Sequence, residues 1–363
     1  MARRLVPEMV SVAEALEQRT ATAAPALALT LPERRVRCLA CAHRCVVLPG
    51  LDGICRVRSN REGTLRVPRG YVAALQIDPI EKKPFFHALP GASVLSFGML
   101  GCDLHCAYCQ NWVTSQTLRD PAASGGPRDV GADDLVAAAE ARGCPVLVST
   151  YNEPLITAEW AAEVFSAAKA AGLVCGFVSN GHATPEVLAY LRPHLDLYKV
   201  DLKGFRNEHY RDLGGRIAPV LDTIRSLKES GIWLEIVTLL IPGVNDDPAE
   251  IADLTSFLAS VSPDIPWHVT AFHPDYKMTG TRATTASDLL RAAETGRAAG
   301  LRFVYAGNLP GAVGTHEDTR CPSCGATLVA RRGYAVEVRA LTPGGACAAC
   351  GSSIAGYWQG RAA

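Results

Sequence analysis

Three cysteines, Cys102, Cys106 and Cys109, stand with three and then two residues between them in a loop reading Gly98-Met99-Leu100-Gly101-Cys102-Asp103-Leu104-His105-Cys106-Ala107-Tyr108-Cys109-Gln110-Asn111-Trp112. Thiolates are soft ligands that suit zinc and iron–sulfur clusters, and a closed structural site normally takes four. Three leave one metal corner for something that is not protein. The alternatives are a zinc knuckle that borrows its fourth ligand, or three buried core thiols.

Two other cysteine sets carry metal-ligand spacing. Cys38, Cys41, Cys45 and Cys55 sit among glycine-punctuated turns that would let four thiolates converge on one ion, a structural zinc or, with the same ligands, an accessory iron–sulfur cluster. His43 falls inside this set and reads as a surface or hydrogen-bonding residue. Cys321, Cys324, Cys347 and Cys350 form two Cys-x2-Cys-Gly knuckles around a strand-like pair, the pattern of a zinc ribbon, with a rubredoxin-type iron as the alternative. Cys144 and Cys175 lie alone and are expected to pack in the core.

The elements that must position the first set are strands and helices in alternation. Apolar strand-like runs are expected over 93–97, 145–150, 173–179, 195–201, 232–240, 267–272 and 301–305. Amphipathic helices fall between them over 132–142, 157–171, 185–191, 219–230, 248–259 and 286–299. Such alternation implies a parallel sheet with right-handed crossovers, and six or seven units are too few to close an eight-fold barrel. An α/β fold, an open partial (β/α)6-type barrel, is therefore expected, with its site at the carboxyl ends of the strands. Polar residues gather there: Thr150 to Pro154, Ser179-Asn180-Gly181, Lys199 to Lys203, Ile241 to Asp246, and His273-Pro274. Each alone has an ordinary explanation as a turn, a cap or a solvated charge, and their weight lies in sharing one face.

This gives five segments: a helix (10–18) and connector over 1–35, a four-cysteine module over 36–70, a linker over 71–92, the barrel over 93–314 and a ribbon module over 315–363. The linker stretch from Gln76 to His87 reads as a loop close to the cluster mouth. Equal numbers of acidic and basic residues, 36 each, argue against a broad nucleic-acid-binding face. Clustered cysteines in a 363-residue chain suggest a reducing compartment rather than a disulfide framework. The weakly apolar stretch 21–31 follows acidic residues and contains Pro25, a poor signal peptide, and no run approaches a membrane span. A cytoplasmic protein is expected.

The Cys-x3-Cys-x-aromatic-Cys phrase, with Tyr108 as the aromatic residue, resembles the signature of the radical S-adenosylmethionine superfamily. The resemblance implies a [4Fe–4S] cluster on Cys102, Cys106 and Cys109 whose open iron takes S-adenosylmethionine, and an electron donor such as flavodoxin or ferredoxin. By the same resemblance Glu153 and nearby carbonyls would hold the methionine ammonium. Ser179 and Asn180 match the Thr-Asn-Gly of glycyl-radical-enzyme activases, and Asp201 and Lys203 would approach the ribose or carboxylate. Asn245 would reach the adenosine, and His273 would lie at the cofactor rim. Cys38, Cys41, Cys45, Cys55, the Asp78 to Pro84 phrase, the Cys109-Gln110-Asn111-Trp112 ending and Tyr151 to Pro154 are similar to the radical enzyme of the AmmeMemoRadiSam system. That likeness implies Memo-like and AMMECR-like partner proteins. A pyruvate formate-lyase-activating type of enzyme, with a protein glycine as substrate, is one alternative. Another is a non-catalytic adaptor that binds protein or RNA through its metal modules, with Arg331 and Arg332 exposed.

Overall fold

The computed structural model describes residues 11–359, so Val10, the first residue of the expected N-terminal helix, lies outside the described residues. The helix itself spans Val12–Glu17 and begins at Ser11, whose side chain and that of Glu14 cap each other's backbone N–H.

Eight strands make the central sheet, in the order Val304–Gly307, Trp267–Ala271, Trp233–Leu240, Leu197–Asp201, Val174–Ser179, Val146–Ser149, Ser93–Gly98 and Ala74–Pro79. The first seven run parallel and the last is antiparallel to Ser93–Gly98. The two outermost strands do not pair with each other, so the barrel is open, as the count of strand–helix units implied. The strand Ala74–Pro79 falls where the sequence suggested a loop. Its proline sits at the last residue of an edge strand, where no ladder donor is required. The short helix Asn207–Asp212 was also not anticipated.

Alternating side chains of one strand serve two cores. Val146 and Val148 face an inner cluster with Val94, Val174, Leu197, Ile80 and Phe85, whereas Leu147 joins the outer cluster under the helices. That alternation is why the strands read as unbroken apolar runs, both faces being covered. The crossover helices start on designed-looking caps: Thr184 before Pro185–Leu191, Asp247 before Pro248–Val261, and a Thr285–Asp288 capping box before Ala286–Ala298.

The terminal modules are built into the barrel rather than appended to it. Leu16, Leu27, Cys55 and Val57 share a core with Phe97, Leu100 and Ile156, and buried Arg58 forms a bidentate pair with Glu159 at 2.7 and 2.8 Å. At the other end the hairpin Thr327–Arg332 and Ala335–Val338 packs Leu328 and Val329 against Phe86, Phe303 and Tyr305. Arg331 is buried, not exposed as the adaptor alternative required. Its guanidinium donates to Thr319 Oγ1 and the Phe86 carbonyl, both at 2.7 Å, and lies 4.3 Å from the centre of the Phe86 ring. No helix among the described residues is long and apolar enough to cross a membrane.

Candidate active site

The cysteine loop leaves the sheet at Gly98, where a Cβ would lie 2.2 Å from the Thr150 carbonyl oxygen, so only glycine fits. Gly101 takes φ +93° and lets the chain turn. Hydrogen bonds from its surroundings then fix the loop. Met99 N–H donates to Asn152 Oδ1 at 3.0 Å, His105 N–H to the Leu213 carbonyl at 3.0 Å, and Gln116 Nε2 to the Leu104 carbonyl at 3.2 Å. Asp103, fully buried between the first two cysteines, accepts from Asn180 Nδ2 at 2.7 Å and from His182 Nδ1 at 3.0 Å. The loop is thereby tied to the end of the Val174–Ser179 strand.

None of the three loop cysteines is in a disulfide. Leu104 N–H donates to the Cys102 sulfur at 3.4 Å, and the Cys109 sulfur lies 3.2 Å from Ser115 Oγ. Burial pushes the Cys106 thiol up to about 11, against the pull of Lys203, so a thiolate here calls for further positive charge such as a metal centre brings. On these grounds the residues fit a cluster.

Cys106 and Cys109 open onto a cavity of about 430 Å³ at the carboxyl ends of the strands. Tyr108, Asp201 and Lys203 line it too, as the strand ends suggested. The Tyr108 hydroxyl is buried with no hydrogen-bond partner among the described residues, a donor left for a ligand. Lys199 pairs with Asp201 at hydrogen-bond distance, and Lys203 Nζ stands 3.8 Å from the other carboxylate oxygen. Burial alone would raise the Asp201 carboxyl, but the two lysines outweigh it and hold it below its ordinary value.

Four of the expected contacts stand behind this wall instead. Glu153 is buried with both oxygens engaged: one accepts from Ser179 Oγ at 2.7 Å and Leu155 N–H at 3.0 Å, the other from Asn180 N–H at 2.8 Å. Burial and the Asp103 charge push its carboxyl up to about 8. Asn245 accepts from Ile241 N–H at 2.7 Å and donates to the Lys203 and Leu239 carbonyls at 2.9 Å, so it braces Lys203 and has no amide group left to reach an adenosine. His273 is exposed and meets Gln110 at 3.0 Å beside the cysteine loop.

The sequence reading placed Lys199 at a polar strand end without giving it a role; it points inward with Asp201 at a spacing of two, the parity signal of a strand. Lys83 and Tyr151 likewise stood in motif phrases with no role of their own: Lys83 Nζ donates to Asp78 Oδ2 at 2.9 Å and to the Tyr151 hydroxyl at 3.1 Å, and Tyr151 is held at φ +73°. The linker residues Glu81 to Pro84 line the cavity with the cysteines, and Gly333 and Tyr334 bring the ribbon hairpin to the same mouth.

The four ribbon sulfurs do converge, Cys321 on Cys350 at 3.6 Å and Cys324 on Cys347 at 3.7 Å. Tetrahedral zinc with bonds of about 2.3 Å puts its thiolates roughly 3.8 Å apart, so this set fits one ion. Of the N-terminal four, Cys38, Cys41 and Cys55 are buried and Cys45 is half-buried.

Comparison with known protein families matches residues 98–255, the cysteine loop through the helix after the fifth parallel-strand turn, to the Radical SAM superfamily. The chain is 35% identical over 303 residues to the uncharacterized protein MJ0808 of Methanocaldococcus jannaschii, covering 83% of this chain and 89% of that one. The chain belongs to the radical SAM superfamily. It is also 28% identical over 200 residues to the pyruvate formate-lyase-activating enzyme of Staphylococcus epidermidis, spanning 51% of this chain and 76% of that enzyme. Among solved structures, a radical SAM methyltransferase from Sphaerobacter thermophilus is similar over 62% of this chain and 70% of its own, with TM-score 0.47 and 16% identity. A domain of the Bacteroides vulgatus activating enzyme is covered over 98% of its length at TM-score 0.40 and 20% identity. As a radical SAM protein the chain carries its three cysteines at the start of the matched region, on the loop that ends the first parallel strand.

Proposed function

We propose that this radical SAM protein cleaves S-adenosylmethionine reductively and takes a hydrogen atom from a protein or peptide substrate. The observation that carries the reading is the joint opening of Cys106, Cys109, Tyr108, Asp201 and Lys203 onto one cavity at the strand ends. Cys102, Cys106 and Cys109 would hold a [4Fe–4S] cluster, which supplies with the bound sulfonium a 5′-deoxyadenosyl radical and methionine. The chain's own contribution is placement. Lys203, braced by Asn245 and charged through Asp201, offers a cation to the methionine carboxylate, and the Tyr108 hydroxyl offers a donor. Glu153, Ser179 and Asn180 act behind them as positioning residues, joining the second and third parallel strand ends to Asp103 of the loop. His273 and Gln110 mark the rim.

Similarity to pyruvate formate-lyase-activating enzymes favours a protein substrate, and a glycyl-radical activase is the reading that this similarity supports second. The AmmeMemoRadiSam assignment, with Memo-like and AMMECR-like partners, rests on the motif resemblance. We assign the ribbon four a structural zinc on their sulfur spacing, and the chain to a reducing, cytoplasmic setting with a flavodoxin or ferredoxin as donor. The test is anaerobic reconstitution with dithionite and S-adenosylmethionine. 5′-Deoxyadenosine should form with the native chain and be absent with Cys106→Ala, and a deuterium label on a candidate peptide should move into it.

A further inference from the structure

Five of the nine large apolar side chains left exposed among the described residues, Leu29, Val46, Leu48, Leu51 and Ile54, fall in the N-terminal part of the chain. Strand pairing explains why they gather. Leu29 stands opposite Arg37 and Arg37 opposite Val46, so the three form one row across the sheet of Ala28–Thr30, Val36–Cys38 and Val46–Val47. The alternate residues Val36, Cys38 and Val47 are buried on the other face. Leu48 is again exposed, and Leu51 N–H donates to its carbonyl at 3.0 Å. Val46 and Ile54 meet at an open hollow with Ala13, Leu118, Arg56 and Arg119. One apolar face thus runs from the sheet into the hollow, and a joined patch, unlike scattered exposed residues, marks a contact surface.

The charge on this face has one sign. Arg56 donates to the Leu118 carbonyl at 2.5 Å, and Arg119 to the Leu104 and Ile54 carbonyls and the Gln116 side chain, all neutral oxygens. Arg37 is exposed, and none of the three arginines forms an ion pair among the described residues. Asp52, the carboxylate that borders the hollow, stands 3.6 Å from Arg61 instead. Residues 1–10 carry Arg3 and Arg4 against Glu8, charge of the same sign, so they do not complement the face. An acidic partner from outside the chain does.

The same hollow reaches the cysteine loop without passing through the cavity. Arg119 joins the Ile54 carbonyl at 2.6 Å to the Leu104 carbonyl at 2.8 Å, and Leu104 N–H donates to the Cys102 sulfur at 3.4 Å. No residue lines both the hollow and the cavity. A protein seated here is close to Cys102 through a few bonds and leaves the cavity free.

We propose that this face docks an acidic one-electron carrier protein, such as a reduced flavodoxin, that supplies electrons to the cysteine loop. The proposal rests on the reading of Cys102, Cys106 and Cys109 as ligands of a reducible cluster. The carrier's reduced cofactor loses one electron and the cluster gains it; no bond forms or breaks and no proton moves. Electron-transfer encounters bury less than about 1,200 Å² in total, so one small module is enough to host one.

The test uses the full chain, reconstituted without oxygen, with flavodoxin as the probe. In calorimetric titration at about 50 mM salt, Arg37→Glu/Arg56→Glu should weaken flavodoxin binding about tenfold or more, because rim charges of one sign steer the encounter. The uncharged variant Leu48→Gln/Ile54→Gln should weaken it as well. Reduction of the cluster, followed by stopped-flow absorbance, should slow in both variants with reduced flavodoxin and be unchanged with dithionite, which needs no docking face. Native-like binding and reduction by flavodoxin in both variants would overturn the proposal, as would equal slowing with the two reductants. So would a native chain that is dimeric by light scattering and monomeric as Leu48→Gln/Ile54→Gln, which would give the face to a second copy. Iron that dithionite cannot reduce in the native chain would count against the cluster reading alone, since the binding comparison still decides the docking face.

Discussion

Asp201 faces two lysines, Lys199 and Lys203, and the three together put one net positive charge on the cavity wall. Lys203 is the one held by Asn245, so it keeps its place if its charge is removed. Lys203→Met should weaken S-adenosylmethionine binding about ten- to a hundredfold, the ~1.5–3 kcal/mol of a hydrogen bond to a charged group, while iron content stays unchanged. Calorimetric titration of the reconstituted protein measures it, and unaltered affinity would remove Lys203 from the site. At this scale the sequence was legible where a residue type admits few uses, as with three thiolates at fixed spacing. It says less where one amide or carboxylate can serve either ligand or backbone. Asn245 and Glu153 sit at the expected strand ends, yet their polar atoms go to main-chain and hydroxyl groups that only the folded chain brings near.

The linker between the edge strand and the first parallel strand is held by one buried carboxylate. Glu235 accepts from Phe86 N–H at 2.9 Å, His87 N–H at 2.8 Å and His268 Nε2 at 2.7 Å. His87 is itself buried between the Ala355 carbonyl at 2.7 Å and the Tyr305 hydroxyl at 2.5 Å, so the neutral ring donates from Nδ1 and accepts at Nε2. Burial lowers its pKa to about 4 from the ordinary 6.5. The unfolded chain therefore binds more protons between those values. The stability contributed is full above pH 6.5 and is lost as pH falls towards 4, by at most about 3 kcal/mol. Urea unfolding from pH 7 to 4.5 should show this slope, and His87→Gln should flatten it. Gly98→Ala, which drives a methyl group into the Thr150 carbonyl, should cost at least about 2 kcal/mol and shift the cysteine loop, checked by denaturation midpoint and iron content. Parallel strands were legible because both faces are apolar. The Ala74–Pro79 strand was not, since an edge strand with exposed Gln76 and Ile77 and a terminal proline looks like a turn.

Over the whole molecule, the ribbon packs on the linker and the last parallel strand of the open barrel. Leu328, Val329 and Ile354 of the ribbon bury Phe86 and Tyr305, which belong to the linker and the last strand. Loss of the ribbon metal should therefore be felt in the barrel. Cys324→Ser should remove one zinc per chain and lower the melting temperature by roughly 5–10 °C, and an unchanged zinc content would refute the ribbon assignment. The order of modules could be read from cysteine spacing, but not how they are joined. Arg331 looked like a surface charge, yet it is buried against the Phe86 ring, because two of its partners, Phe86 and Glu81, stand 245 and 250 residues away in the chain. The central claim, that three thiolates leave an iron corner for S-adenosylmethionine, is met most directly by spectroscopy of the reduced, reconstituted chain before and after the compound is added. A shifted cluster resonance, accompanied by 5′-deoxyadenosine and abolished in Cys106→Ala, is the predicted result. An unshifted spectrum with no nucleoside product would contradict it.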